Sequence, residues 1–122
     1  AAMAMLEQTF PGKLAVLESL FRTGGNITQK KQLELLVESA AAQMRSRENV
    51  RIKALLEEFR GRAALVAPAN LELAVSHLER SISLNSQAGN TSVCLLYQSY
   101  RQLNLDASAN ELLDRFDGKV CD

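Results

Sequence analysis

The stretch ANLELAVSHLERSISLNS, residues 69–86, decides the fold of this chain. Its apolar residues recur every three or four positions, which places them on one side of an α-helix. The buried stripe that this spacing predicts comprises Leu71, Ala74, Val75, Leu78 and Ile82. Asn70 before it is a favoured N-cap residue, and residues 86–90 (SQAGN) have the composition of a turn. The stretch therefore predicts one amphipathic helix between a cap and a turn.

The same spacing continues on both sides of this stretch, so the chain is predicted to be all-α with about five to six helices. The other predicted helices run from Pro11 to the glycines at 24–25, from Asn26 or Thr28 to near Arg45, from Ser46 to Pro68, from Thr91 past Leu103, and from Asp106 to Gly118. Because the connections are a few residues long, consecutive helices are expected to pack as antiparallel hairpins.

Composition limits the kinds of function. The 122 residues suit a single helical domain spanning 1–122. Basic and acidic residues number 14 each, so no field of one sign draws the chain to nucleic acid or to an acidic membrane surface. The longest apolar stretch, around residues 62–69, is too short to span a bilayer. No membrane span is therefore expected.

Two cysteines, Cys94 and Cys121, leave the redox compartment open, since a pair forms either two free thiols or one bridge. We expect free thiols, with Cys94 contributing to packing. The opening AAMAM has no basic residue ahead of an apolar run, so it is not an intact secretory signal. Localisation is unknown: the cytoplasm is favoured slightly, and a periplasmic or secreted setting stays open if a signal peptide has been removed.

Two alanines mark a spacing that is typical of helical repeats. Ala74 and Ala109 lie 35 residues apart, and each is followed four positions later by a leucine, Leu78 and Leu113. A small residue lets two helices approach closely, and the leucine one turn later fills the adjacent groove. We therefore expect both alanines at helix contacts.

Residues 48–118 resemble tetratricopeptide repeats. In that family's pattern a Leu is followed by a Tyr, then an Ala, then a large apolar residue, and Leu96, Tyr100, Ala109 and Leu113 fit in register. The match is partial: Asn104 replaces the tight-turn glycine, and the prolines near the hairpin ends are missing. Asn tolerates the left-handed backbone that such a turn needs. An irregular helical bundle unrelated to that family is the alternative.

The resemblance implies that partners bind along the face formed by the first helix of each hairpin. On the fifth helix the matching positions are Cys94, Leu95, Gln98, Arg101 and Gln102. The residues themselves point the same way, because Leu95 lies off the main apolar stripe beside three hydrogen-bond donors. We therefore expect a partner-binding face at Leu95, Gln98, Arg101 and Gln102. The alternative is a solvated face of a self-contained bundle.

Candidate chemistry is sparse, and no catalytic residue, metal site or cofactor is predicted. His77 is the only histidine and is expected to be a surface or half-buried structural residue without partners in its sequence neighbourhood. The adjacent carboxylates Glu57 and Glu58 are expected on a solvated helix face. The two glycines at 24–25 are not followed by the lysine, or preceded by the strand, that a phosphate-binding loop requires. The densest basic cluster comprises Arg45, Arg47, Arg51 and Lys53.

These observations favour a non-enzymatic protein–protein interaction module, such as an adaptor, chaperone or assembly factor, that binds a protein or peptide and no small-molecule substrate. One alternative is a structural subunit or oligomerising domain, with a second copy of the chain as its partner. Another is a small DNA-binding regulator that uses the basic cluster, although the acids that follow it argue against nucleic acid.

Overall fold

The computed structural model describes residues 13–23, 27–43, 50–84 and 90–121, and in these ranges it shows six α-helices and no strand. The helices are α1 Lys13–Thr23, α2 Ile27–Gln43, α3 Val50–Leu65, α4 Leu71–Leu84, α5 Asn90–Gln102 and α6 Asp106–Arg115. The predicted all-α fold is therefore confirmed.

Two of the predicted helix boundaries show their physical cause. Asn70 Oδ1 accepts a hydrogen bond of 3.1 Å from the Leu73 N–H, which confirms Asn70 as the N-cap of α4. Helix α3 ends at Leu65, three residues before Pro68. The boundary residues predicted at Pro11, at 24–25, at Arg45 and Ser46 and in the turn at Gly89 lie outside the described residues.

The helices pack mainly against their neighbours in the chain, in the order α1, α2, α3, α4, α5, α6. Two clusters of buried side chains result, and α3 contributes to both. The first cluster joins α1, α2 and α3 through Leu17, Leu33, Val37, Ala40, Ile52, Leu56, Phe59, Ala63 and Val66. The second joins the end of α3 to α4, α5, α6 and the chain beyond α6 through Ala64, Ala74, Val75, Leu78, Ile82, Val93, Leu96, Leu112 and Val120.

Small residues lie where helices approach most closely. Ala74 and Ala109 have no exposed surface, so both are buried as their spacing predicted. A Cβ atom built on Gly61 of α3 would lie 2.7 Å from Cγ of Leu78, so the backbone of α3 nearly touches the α4 side chain there. The α3–α4 contact thus depends on residues without bulk at 61 and 74.

Helices α5 and α6 both end in a left-handed residue. Asn104 has φ +60°, Leu105 N–H donates to Tyr100 O at 2.8 Å and Asn104 N–H donates to Arg101 O at 3.1 Å. After α6, Asp117 takes φ +55°, and Gly118 N–H donates to Leu113 O at 2.7 Å. This pattern is the Schellman motif, and Asn104 adopts the left-handed backbone that asparagine tolerates.

Among the described residues, no helix combines the length and the apolar character needed to cross a membrane.

Candidate functional site

The structure leaves three of the four predicted site residues open to solvent. Gln98, Arg101 and Gln102 are exposed on α5, whereas Leu95 is half-buried and packs against the second core cluster. We call Leu95, Gln98, Arg101 and Gln102 the α5 face. Leu95 therefore links this face to the core instead of standing free of it.

The guanidinium of Arg101 is held only loosely. Its Nη1 lies 3.8 Å from Oδ1 of Asp106, and the two side chains are 57% and 67% exposed. Exposed pairs at such a distance contribute between nothing and about 1 kcal/mol. Exchanging Asp106 for a carboxylate of another molecule therefore costs Arg101 little.

The two cysteines form a disulfide bond, so the expectation of free thiols is wrong. Cys94 Sγ and Cys121 Sγ are 2.05 Å apart, and Cys121 is exposed while Cys94 is half-buried. The turn after α6 brings residues 119–121 back to α5, a contact that the sequence does not reveal because the two cysteines are separated by 27 positions. Gln98 Nε2 lies 3.5 Å from Cys94 Sγ and 4.0 Å from Cys121 Sγ. The bridge consequently lies on the α5 face.

Beside Leu95 an open cleft of about 310 Å³ brings together the first, third and fifth helices. We call it the α1–α3–α5 cleft. Its lining combines apolar side chains with one arginine: Phe21, Arg62, Leu65, Val66, Ala67 and Leu95. An apolar recess beside the donors of α5 is therefore available to an apolar side chain of a partner.

Arg62 forms one rigid wall of this cleft. Its guanidinium lies 4.1 Å above the ring of Phe21 and donates to both carboxylate oxygens of Glu18, at 3.0 and 3.1 Å. Stacking on an aromatic ring and a bidentate ion pair with a carboxylate both hold a guanidinium in one orientation. The charge of Arg62 is thus balanced by Glu18 on α1, not by Glu58 one helical turn away.

A polar network connects α2, α3 and α4 on another side of the molecule. Arg60 donates to both oxygens of Glu38, at 2.8 and 3.0 Å, and to Glu57 at 2.8 Å. The hydrogen bonds that Arg60 donates to Glu38 lower the pKa of Glu38 and raise the pKa of Arg60. His77 Nδ1 donates to Glu57 at 2.7 Å. His77 is half-buried as expected, but α3 supplies a partner that its own neighbourhood in sequence lacks.

Lys30 closes the end of α3 beside this network. Its ammonium donates to the backbone oxygens of Ala64 at 3.2 Å and of Val66 at 2.8 Å, and also to that of Pro68. These carbonyls belong to the last turn of α3 and the chain after it, where helical partners are missing. Lys30 therefore has a structural role, because it caps the carbonyl groups at the end of α3.

The expectation that Glu57 and Glu58 lie on a solvated face is also wrong. Both are half-buried, and Glu58 accepts a hydrogen bond of 2.7 Å from the buried Ser92 of α5. Ser81 of α4 donates to Ala54 O at 2.7 Å and lies 3.3 Å from Ser92 Oγ. These contacts anchor α4 and α5 to α3, because buried polar groups require partners.

A second cleft of about 510 Å³ separates α4, α5 and α6, and Tyr100 lines it. Burial, followed by the nearby carboxylate of Glu79, raises the pKa of Tyr100 to about 12. Glu111 adds to the shift and Arg115 opposes it. Tyr100 therefore stays neutral and acts as a hydrogen-bond donor to Glu79.

Within the described ranges, no three His, Cys, Asp or Glu side chains are arranged to hold a metal ion. Of the basic cluster, Arg51 and Lys53 are exposed on α3, while Arg45 and Arg47 lie outside the part of the chain that the structure describes.

Two features of the site were missed from sequence. Phe21 and Arg62 were not predicted as site residues, because nothing in a local pattern shows that α1 and α3 meet beside α5. The position of Cys121 on the α5 face was also missed, because no local pattern shows that the chain after α6 returns to α5. The even number of cysteines was the one available signal for the bridge.

Comparison of the chain with protein-family models, with curated proteins and with solved structures finds no match.

Proposed function

We propose that this protein is a non-enzymatic interaction module that binds a peptide segment of another protein across the α1–α3–α5 cleft and the α5 face. The observation that carries the proposal is the lining of the cleft, which draws Phe21, Leu65 and Leu95 from the first helix of each successive hairpin. This arrangement is the one that a tetratricopeptide-like ancestry implies. Sequential packing of hairpins also occurs in unrelated helical bundles, so the proposal does not depend on that kinship.

The chemistry of the two surfaces specifies the partner. The recess beside Leu95 suits a large apolar side chain, and the exposed Arg101 suits a carboxylate a few residues away in the same peptide. Gln98 and Gln102 are exposed on the same face and supply further donors for a peptide backbone. Large apolar anchors and arginine contribute most of the affinity in many protein interfaces.

Selection from a phage-displayed library of random peptides tests this proposal. The protein is immobilised both with and without dithiothreitol, because the disulfide lies on the α5 face. Enriched peptides are expected to share a large apolar residue and an Asp or Glu. Arg101→Ala should weaken their binding by about 1 kcal/mol or more while leaving the thermal midpoint nearly unchanged.

Arg80→Ala provides the matched control, since Arg80 is an exposed arginine on α4 that lines the other cleft. Leu95→Ala is a less specific test, because Leu95 also packs against the second core cluster and its truncation lowers stability. Equal binding by the Arg101 and Arg80 variants, or no enrichment in either condition, would overturn the proposal. Self-association that Arg101→Glu abolishes would instead favour the structural-subunit alternative.

A further inference from the structure

The disulfide and the chain segment that carries it lie on the surface to which a partner is expected to bind. Residues 119–121 reach α5 through the Cys94–Cys121 bond, and Val120 between them is only 5% exposed in the second core cluster. Gln98 of the α5 face contacts both sulfur atoms. We propose that residues 119–121 act as a redox-controlled cover of the surface around Cys94, beside the α5 face, and that reduction of the disulfide releases this cover. This proposal rests on the proposed function, because it describes how access to the same face is regulated.

Contacts other than the disulfide hold the segment weakly. Lys119 N–H donates to Phe116 O at 2.9 Å, and Val120 is the buried side chain of the segment. Burial of one valine side chain offsets the conformational entropy of ordering roughly one or two residues. Three residues must be ordered here, so the covalent bond decides whether the segment stays in place.

The positions of the two sulfur atoms indicate the order of the chemical steps. A thiolate of a dithiol reductant attacks Cys121 Sγ, the exposed side of the bond, and Cys94 leaves as a thiolate that takes up a proton. The second thiol of the reductant then attacks the mixed disulfide and releases Cys121 as a thiol. Two electrons and two protons pass to the protein, and the reductant leaves as its own disulfide.

Release changes what the α5 face presents. In the oxidised protein Gln98 faces the sulfur atoms, and Cys94 is joined to the segment. After reduction the amide of Gln98, which is already exposed, loses its contacts with the bridged sulfur atoms, and the surface around the half-buried Cys94 becomes accessible next to Leu95 and the α1–α3–α5 cleft. The position vacated by Val120 adds an apolar recess of valine size. The open face is therefore larger and more apolar than the closed one.

Methyl NMR of the full chain tests the release without any ligand. Val120 methyl groups should show contacts to the second core cluster in the oxidised protein and lose them with dithiothreitol, while Leu78 and Phe59 keep theirs. The Cys94→Ser/Cys121→Ser double variant should show the released spectrum in both conditions. Retention of the Val120 contacts after reduction would overturn the proposal. Loss of the Leu78 and Phe59 contacts as well would also overturn it, because the disulfide would then support the whole fold.

Binding of the library-selected peptides supplies the second, separate readout. Affinity should rise on the order of tenfold on reduction, and the double variant should bind equally under both conditions. Equal affinity of the oxidised and reduced wild type would show that the segment does not obstruct binding and would overturn the cover. If Val120 is released but peptides bind to neither form, the conformational change stands and the proposed function fails. The two failures are thus distinguishable.

Discussion

Individual side chains of α3 connect parts of the fold that are distant in sequence. Arg60 holds Glu38 of α2 and Glu57 of its own helix, and Glu57 in turn accepts from His77 of α4. On the other side of α3, Arg62 reaches Glu18 of α1. Charges that look like solvated pairs on one helix are therefore partners between helices. Both members of such a pair lose some water but keep a charge-assisted hydrogen bond.

The pair between Glu38 and Arg60 predicts a pH dependence of stability. The folded protein lowers the pKa of Glu38 below its ordinary value of 4.5, so the pair stabilises the fold above that pH and the contribution is lost as the pH falls through the lower folded value. Because the Glu38 side chain is 59% exposed, Glu38→Gln should cost at most about 1 kcal/mol at neutral pH. Urea unfolding of both proteins should converge at pH values well below 4.5. Glu34→Gln, at an exposed glutamate of the same helix, is the control, and a difference that persists in acid would contradict the prediction.

Tyr100 predicts a second dependence, at alkaline pH. Its folded pKa of about 12 lies above the ordinary value of 10.0, so its contribution to stability is complete below pH 10.0 and is lost as the pH rises toward 12. The tyrosinate absorbance that distinguishes the wild type from Tyr100→Phe should therefore appear near pH 12. Glu79→Gln should move it to lower pH, because the Glu79 carboxylate opposes ionisation. If the wild type and Glu79→Gln both titrated near the ordinary tyrosine pKa of 10.0, Tyr100 would be solvated and the prediction would be wrong.

At the scale of helices, small residues set how closely neighbours pack. Gly61 and Ala74 leave room for Leu78 between α3 and α4, and Ala109 is fully buried on α6. The spacing of small residue and leucine predicted the positions of the two alanines. It did not predict Gly61, since a glycine inside a helix carries no apolar periodicity and usually lowers helix propensity.

Replacement of Ala74 or Ala109 by Leu should therefore overpack the second core cluster. The free energy of unfolding is expected to fall by about 1–3 kcal/mol, because neighbouring helices must move to admit the larger side chain. Chemical denaturation followed by circular dichroism measures the change. Ala107→Leu, at an exposed position of α6, is the matched control and should change stability by less than about 0.5 kcal/mol. If the two buried variants also kept the wild-type midpoint, these positions would not be close helix contacts.

Across the whole molecule, the disulfide is the longest-range covalent constraint. It joins α5 to the chain beyond α6 across a separation of 27 residues, so it encloses α6 in a covalent loop. Such a loop restricts the unfolded chain more than the folded one, which raises the free energy of unfolding.

The Cys94→Ser/Cys121→Ser variant should consequently unfold at lower urea concentration, with a loss of about 3–4 kcal/mol in the loop-entropy model, while it keeps its helical circular dichroism. Dithiothreitol should shift the wild type to the same midpoint and leave the variant unchanged. Thiol counting under denaturing, non-reducing conditions provides an independent check. Two free thiols in the protein from its native compartment would contradict the bridge.

The sequence by itself determined the helices, their caps at Asn70 and Asn104, and most of the buried positions. These features follow from periodicity, local hydrogen bonding and backbone conformation, which act within a few residues. Only the tertiary structure decided that Glu57 and Glu58 have partners on other helices, that Leu95 opens onto Phe21 and Arg62, and that Cys121 meets Cys94. These contacts depend on how the helices pack against one another. The residues that meet are 20 to more than 70 positions apart, so no local pattern in the sequence reveals their contact.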